Sequence, residues 1–333
     1  MATEAPPGTP WHVTPAPVRA GGIIIGLTVL VAIICLAFGW PAARSKPHDL
    51  PIGVAAPLAA TQIQAELDRS APGGFAVTGY PDQQALRRAI SQRQVYGGLS
   101  SDARGITLLT ATGASPVVAQ LLTQVGAGIT AQAGAPLHSE DLAPLPARDL
   151  LGNGLAGAAL PVTLAGLLPA LVLLPVFPRQ PGLRFAAAVA FSVLAGLTVA
   201  VLLRYAFGST DHNFTGVAAG LMLGLLAMSL SLLGLGSLFG RFGLGLGVAL
   251  AVLVGNPLSG LTSAPELLPR GWGAVGQLLP QGANGTLLRS TAYFSGAGAT
   301  TAILVLTGWA VGGALLIGIA KLRTRTKIEA REP

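Results

Sequence analysis

The chain has 333 residues, of which 51 % are hydrophobic and only 10 % charged, and its mean hydropathy is +0.64. A soluble domain usually carries about a quarter charged residues, so an all-soluble protein is excluded. The formal net charge of +7 does not point to nucleic acid: residues 41–150 hold eight basic and eight acidic side chains, so the surplus lies in the tails and the apolar part, where it reports membrane topology.

Residues 1–20 are Pro-rich without apolar periodicity and read as a disordered cytosolic tail. Gly21 to Trp40 follows as GGIIIGLTVLVAIICLAFGW. About 20 helical residues rising ~1.5 Å each cover a hydrocarbon core of roughly 30 Å. This reads as a retained transmembrane helix; as a cleaved signal peptide its apolar core is too long and its cleavage site poor. The single cysteine, Cys35, lies inside it, which leaves no disulfide framework and no Cys-based metal site.

Residues 41–150 form the soluble insert. Strands are predicted at 50–56, 75–80, 95–101 and 106–112, and helices at 61–70 and from Pro81-Asp82 to about Arg93. The second helix places Leu86, Ala89 and Ile90 on one face and Arg87, Arg88 and Arg93 on another. Ser115-Pro116 opens a third helix, because Ser caps and Pro suits the first helical position. The order β-α-β-α-β-β-α predicts a small α/β domain with a mixed or parallel sheet. Residues 134–146 read as a linker, and His138-Ser139-Glu140-Asp141 within it as a hydrated turn rather than a metal loop.

Five more spans are predicted, at 151–176, 185–204, 214–239, 244–261 and 300–320. They make a five-helix membrane domain over 151–322, with a basic cytosolic tail at 323–333. Pro161, Pro169 and Pro175 should kink the first of them. The stretch Gly243 to Phe294 begins with the fourth of these spans, and its remainder is too polar and too broken to cross as one helix, because Pro257, Pro265, Pro269 and Pro280 each lack an N–H and fix φ. Such backbone is tolerated at membrane depth only where protein or a water-filled cavity satisfies it. The expectation is a bend near Asn256-Pro257 and a re-entrant or interfacial outer segment over about 256–298. Glu266, Arg270 and Arg289 are expected at headgroup level, with Trp272, Tyr293 and Phe294 in an aromatic belt.

Lys and Arg set the orientation. With the N-terminus inside, Arg19, Arg179, Arg184, Arg241, Lys321, Arg323, Arg325, Lys327 and Arg331 are cytosolic. The outer loops carry Asp211, Glu266, Arg270 and Arg289, with Arg204 at an edge, so both termini are cytosolic and residues 41–150 extracytoplasmic. Arg204 is the one charged residue near a span and can snorkel from its end. A self-contained proton pump needs ionisable groups inside the bundle, so any transport must draw on a partner or run downhill.

The chain holds no GxxxxGK[ST], HExxH, GxSxG or SxxK, and Gly243-Leu-Gly-Leu-Gly247 lacks the strand and acidic residue of a dinucleotide turn. No catalytic, cofactor or metal residues are assigned, and the chain is not read as an enzyme. Gly216, Gly220 and Gly224, and again Gly308 and Gly312, recur at four-residue spacing; such stripes serve either packing within one subunit or a dimer seam.

One span, an insert, then five spans resembles bacterial ABC type 2 transporter permeases, in the phage-infection-protein-like branch. The likeness rests on LPIGVAA, on FAVTGYPDQQALRRAISQRQVYGGLSS followed by ITLLTATGASPVVAQLL, and on GNPLSGLTSAPELLPRGWGAVGQLLPQGANGTLLRSTAYF. It implies a permease subunit of a multi-pass protein of the bacterial plasma membrane, pairing as a homodimer or with a second permease. A separate ABC ATPase would hold the ATP and dock on the loop Phe177–Arg184 through Arg179 and Arg184. The outer gate or lining would then be Asn256, Pro257, Glu266, Pro269, Pro280 and Arg289. Some relatives of that branch imply instead an envelope receptor or secretion-associated scaffold whose external domain binds another protein.

Overall fold

The computed structural model describes residues 16–56, 58–102, 105–134 and 136–329. Most of the expected N-terminal tail, and Arg331, lie outside the described residues. Helix α1, Ala16–Ala43, contains the first predicted span and is apolar around its whole circumference; its only buried residue is Pro41.

The insert is a five-stranded mixed sheet with helices on both faces. Its elements are β1 Leu50–Ala55, α2 Ala60–Ser70, β2 Phe75–Tyr80, α3 Gln83–Ser91, β3 Gly98–Asp102, β4 Gly105–Thr110, α4 Pro116–Ala133 and β5 Leu137–Asp141. The strand order is β2-β1-β3-β4-β5, with β3 and β4 antiparallel and every other pair parallel. The expected caps are made: Asp82 Oδ1 accepts from the Ala85 N–H at 2.6 Å, and Ser115 Oγ from the Val118 N–H at 3.3 Å. Neighbours on a strand point to opposite faces. Leu108 accordingly packs with Leu67 of α2 and Val118 and Leu122 of α4, while Leu109 packs with Leu86, Ala89 and Ile90 of α3.

The linker expected over 134–146 is corrected in part. Residues Leu137–Asp141 are edge strand β5, with Ile106 to Thr110 opposite Leu137 to Asp141. Its LHSED sequence offers one apolar side chain, so backbone pairing rather than hydrophobic pattern makes it a strand. Two of its acidic side chains are engaged: Glu140 binds Arg87 of α3, and Asp141 accepts from the Thr112 hydroxyl at 2.5 Å.

The remainder is α5 Asn153–Gly157, α6 Ala159–Val176, α7 Pro181–Val201, α8 Phe214–Leu250, α9 Trp272–Gln277, α10 Pro280–Tyr293 and α11 Thr300–Glu329. α7 and α8 each run on through one π-helical turn, to Ala206 and Gly255. Among the described residues five helices are long and apolar enough to cross a membrane: Ala16–Ala43, Asn153–Val176, Pro181–Ala206, Phe214–Gly255 and Thr300–Arg323. The molecule is therefore built as a helical membrane protein with one small sheet.

The 42-residue Phe214–Gly255 stretch is not one straight rod. Gly240 has φ 64° and ψ −144°, far from helical values. The chain folds back there: a Cβ on Gly236 would stand 3.5 Å from Cβ of Leu244, and one on Gly247 3.1 Å from a Leu235 methyl. Positive φ is tolerated because Gly has no Cβ. The half before Gly240 is the centre of the bundle, packed by α6, α7, α10 and α11, and Leu221, Leu225 and Leu233 on it are fully buried. α11 runs on to Glu329, through most of the expected basic tail.

Candidate functional site at the junction of insert and bundle

Helix α10 is where the insert and the bundle meet. Pro280 starts it at the first helical position, and twelve of its fourteen residues are buried. It lies along α8, with Leu287 against Gly220, Asn284 against Gly224, and Thr291 accepting from Asn213 Nδ2 at 2.9 Å. Asn213 to Gly224 spans eleven residues, so α10 runs beside α8 for about 16 Å from the start of that helix. The Gly216, Gly220, Gly224 stripe has its neighbours within the chain: Gly220 and Gly224 receive α10, and Gly216 lies under the capping Asn213 side chain. Cβ atoms on Gly308 and Gly312 would meet nothing within 4 Å.

The insert is welded to this segment. Ala264 and Leu267 belong to the apolar core on one face of the sheet, and Phe294 to the core on the other. The N–H groups of Lys46 and His48 donate to the carbonyls of Leu267 and Glu266 at 3.1 and 2.9 Å. Ser115 Oγ donates to the Ser263 carbonyl at 2.7 Å. Arg93, in left-handed conformation just after α3, reaches the Thr286 carbonyl at 3.0 Å and Ser290 Oγ at 2.5 Å, with its guanidinium 5.3 Å from the Phe294 ring centre.

Between insert and α10 lies a cavity of about 560 Å³, lined by His48, Asp49, Arg93 and Tyr96 from the insert and by Glu266, Pro269, Gln277, Thr286 and Arg289 from the outer segment. Tyr96 donates its hydroxyl to Glu266 Oε2 at 2.7 Å. Burial first, and then the adjacent Glu266 carboxylate, hold the Tyr96 phenol protonated well above its usual range. Arg289 is 8 % exposed. Its guanidinium donates to the carbonyls of Gly260 at 3.1 Å, Leu261 at 2.5 Å and Ser263 at 3.5 Å, closing the loop after the 3-10 turn Pro257–Ser259. The cavity thus carries three guanidinium groups (Arg93, Arg270, Arg289), two carboxylates (Asp49, Glu266), the His48 imidazole and the Tyr96 phenol on walls of mixed polarity. It can hold a polar or amphiphilic ligand.

Several expected positions move. Arg289 and Phe294 are buried in protein, so neither offers its side chain to headgroups or to an aromatic belt, and Tyr293 is half-buried with its hydroxyl on the Ser209 carbonyl at 2.9 Å. Trp272 and Arg270 are exposed. Of the expected gate residues, Glu266, Pro269 and Arg289 line the cavity between insert and α10. Asn256 lines a separate small space inside the bundle with Thr163, Gln281 and Asn284. Pro257 opens a 3-10 turn and Pro280 starts α10; neither lines the cavity between insert and α10. At the opposite end Arg179 is exposed, but Arg184 is 6 % exposed and so is a poor contact for a partner. Arg93, Tyr96, Ser290 and Asn284 carry much of the junction and have no local sequence signal, since each works through a residue far along the chain.

No protein-family model matches this chain, and no curated protein or solved structure does.

Proposed function

We propose that this chain is the membrane-spanning permease subunit of an ABC-type exporter, driven by a separate ATPase. On this reading the fold-back at Gly240 makes six crossings of the five long apolar helices. Both termini are then cytosolic, and the α/β domain is extracytoplasmic. The observation that carries the proposal is the cavity between the α/β domain and α10. It opens at the end of the bundle nearest that domain, and the bundle's central helix contacts α10 directly. Rocking of the bundle by ATP binding on a partner would move α10 through its Gly220 and Gly224 contacts. The motion would pass to the domain above through Arg93 and Tyr96, changing access to the cavity. The bare surface of α1 and the open faces of Gly308 and Gly312 are compatible with a second permease copy or with lipid.

The test is purification of the tagged protein in mild detergent with mass spectrometry of what accompanies it. A stoichiometric ABC ATPase, lost in Arg179→Glu, supports the reading and locates the coupling loop. No ATPase, with an envelope protein held through residues 41–150, would overturn it in favour of a receptor or scaffold.

A further inference from the structure

At the end of the bundle away from the α/β domain, a second cavity of about 740 Å³ is walled by the end of α6, the start of α7, the Gly240 reversal and α11. Arg179, Arg184, Arg241 and Lys321 line it, and among the described residues no carboxylate does. Beyond Leu151 the sequence holds only four acidic residues, Asp211 and Glu266 on the outer loops and Glu329 and Glu332 at the C-terminus.

Arg184 is the informative member. It sits in the first turns of α7, where the helix dipole is positive and a cation is disfavoured. It is 6 % exposed, and its Nε has no hydrogen-bond partner among the described residues. Ser237 Oγ, on the facing wall of the same cavity, is likewise buried and unpartnered. A buried cation is costly unless paired and hydrogen-bonded. Two sequestered donors and three further cations around one cavity are the complement of a multiply accepting anion. A guanidinium favours phosphate because its planar fork matches two of the oxygens. The remaining walls are apolar, with Leu171, Leu174 and Leu244 facing the same space.

We propose that this cavity binds a phosphate-bearing ligand, with Arg184 and Ser237 on the phosphate oxygens and the leucines on an attached apolar part, as an anionic phospholipid supplies. The inference needs only a membrane-embedded bundle and does not rest on the permease reading.

The test uses the full chain in nanodiscs of phosphatidylcholine, with and without phosphatidylglycerol, and counts retained lipid by native mass spectrometry. A parallel thermal-shift titration uses inorganic phosphate in detergent. Retention of phosphatidylglycerol over phosphatidylcholine is expected, weakened about fivefold for each basic side chain neutralised. Arg184→Gln probes the buried group. The double variant Arg241→Gln with Lys321→Gln alters two exposed side chains, so it keeps the test open if the first fails to fold. Protection by inorganic phosphate that the same variants abolish supports a soluble source for the same site. Equal retention of both lipids together with no response to phosphate overturns the proposal, as does undiminished retention in the double variant. Binding of only an acidic partner segment there overturns it too.

Discussion

The hydroxyl of Tyr96, on the loop entering β3, donates to a carboxylate oxygen of Glu266 across 2.7 Å, although the two are 170 positions apart in the chain. That bond joins the α/β domain to the outer segment, and its removal can be read directly. Tyr96→Phe keeps the ring and removes the donor, at a cost of about 1.5–3 kcal/mol for a hydrogen bond to a charged group. Glu266→Gln keeps an acceptor and should cost less. Thermal unfolding in one detergent should therefore rank wild type above Glu266→Gln above Tyr96→Phe. Tyr96→Phe at wild-type stability would show that the bond does not hold the domain.

The same tyrosine fixes an alkaline limit. Its folded pKa lies above the unfolded value of about 10. The folded state then keeps a proton that the unfolded state loses, so the contribution is fully present below about pH 10 and falls as pH rises beyond it. A series of melts from pH 8 to 11 should show this decline, and Tyr96→Phe should flatten part of it. A decline of the same slope in the variant would assign it to other groups.

The α/β domain was largely legible because its signals are local. Asp82 and Ser115 each cap the helix that follows, and Leu86, Ala89 and Ile90 share a face because helical spacing puts them there. Strand β5 was not, since LHSED lacks alternation and its place depends on pairing with β4. The reversal at Gly240-Arg241 was legible from a Gly and a charge between two apolar runs. The burial of Arg289 was not. A charge beside a span normally belongs at the interface, and the groups that satisfy this one are backbone carbonyls, which carry no side-chain signature.

The glycine stripes make a paired prediction. A Cβ on Gly224 would collide with the Asn284 side chain, whereas one on Gly312 meets nothing within 4 Å. Gly224→Ala should overpack the α8–α10 contact and cost about 1–3 kcal/mol. Gly312→Ala should leave the monomer's stability unchanged or slightly higher, since Ala favours helix. Equal effects in melts of the two variants would remove the basis for placing α10 against α8.

Glu140 and Arg87 tie the edge strand to α3 across the sheet, and Arg87 holds the carboxyl below its usual range chiefly by hydrogen bonding. A depressed carboxylate pKa gives stability that is present above the unfolded pKa and is lost as pH falls through the folded one. Both side chains are partly exposed, so the contribution is small and screened by salt. Opening of the β5 amides, taken from hydrogen exchange divided by the intrinsic rate at each pH, should rise below about pH 4.5, the usual carboxyl range, and Arg87→Gln should show that greater opening already at pH 7. Opening in β5 that is indifferent to both would mean that backbone pairing alone holds the strand.

Arg289 closes the outer loop by satisfying three carbonyls with one buried cation. Removing the cation while keeping bulk, as in Arg289→Met, leaves those carbonyls without their donor, and each buried unsatisfied group costs about 1–3 kcal/mol. Arg289→Lys retains charge but cannot fork between Gly260 and Leu261, so it should fall between the two. The loop that Arg289 organises carries Ala264 and Leu267 into the core of the α/β domain. Its loss should therefore register beyond the bundle, as proteolysis within residues 41–150 at temperatures where wild type resists. Global destabilisation of Arg289→Met without that loosening would mean that the guanidinium stabilises only the bundle. A variant as stable as wild type would show that water replaces the clamp at no cost.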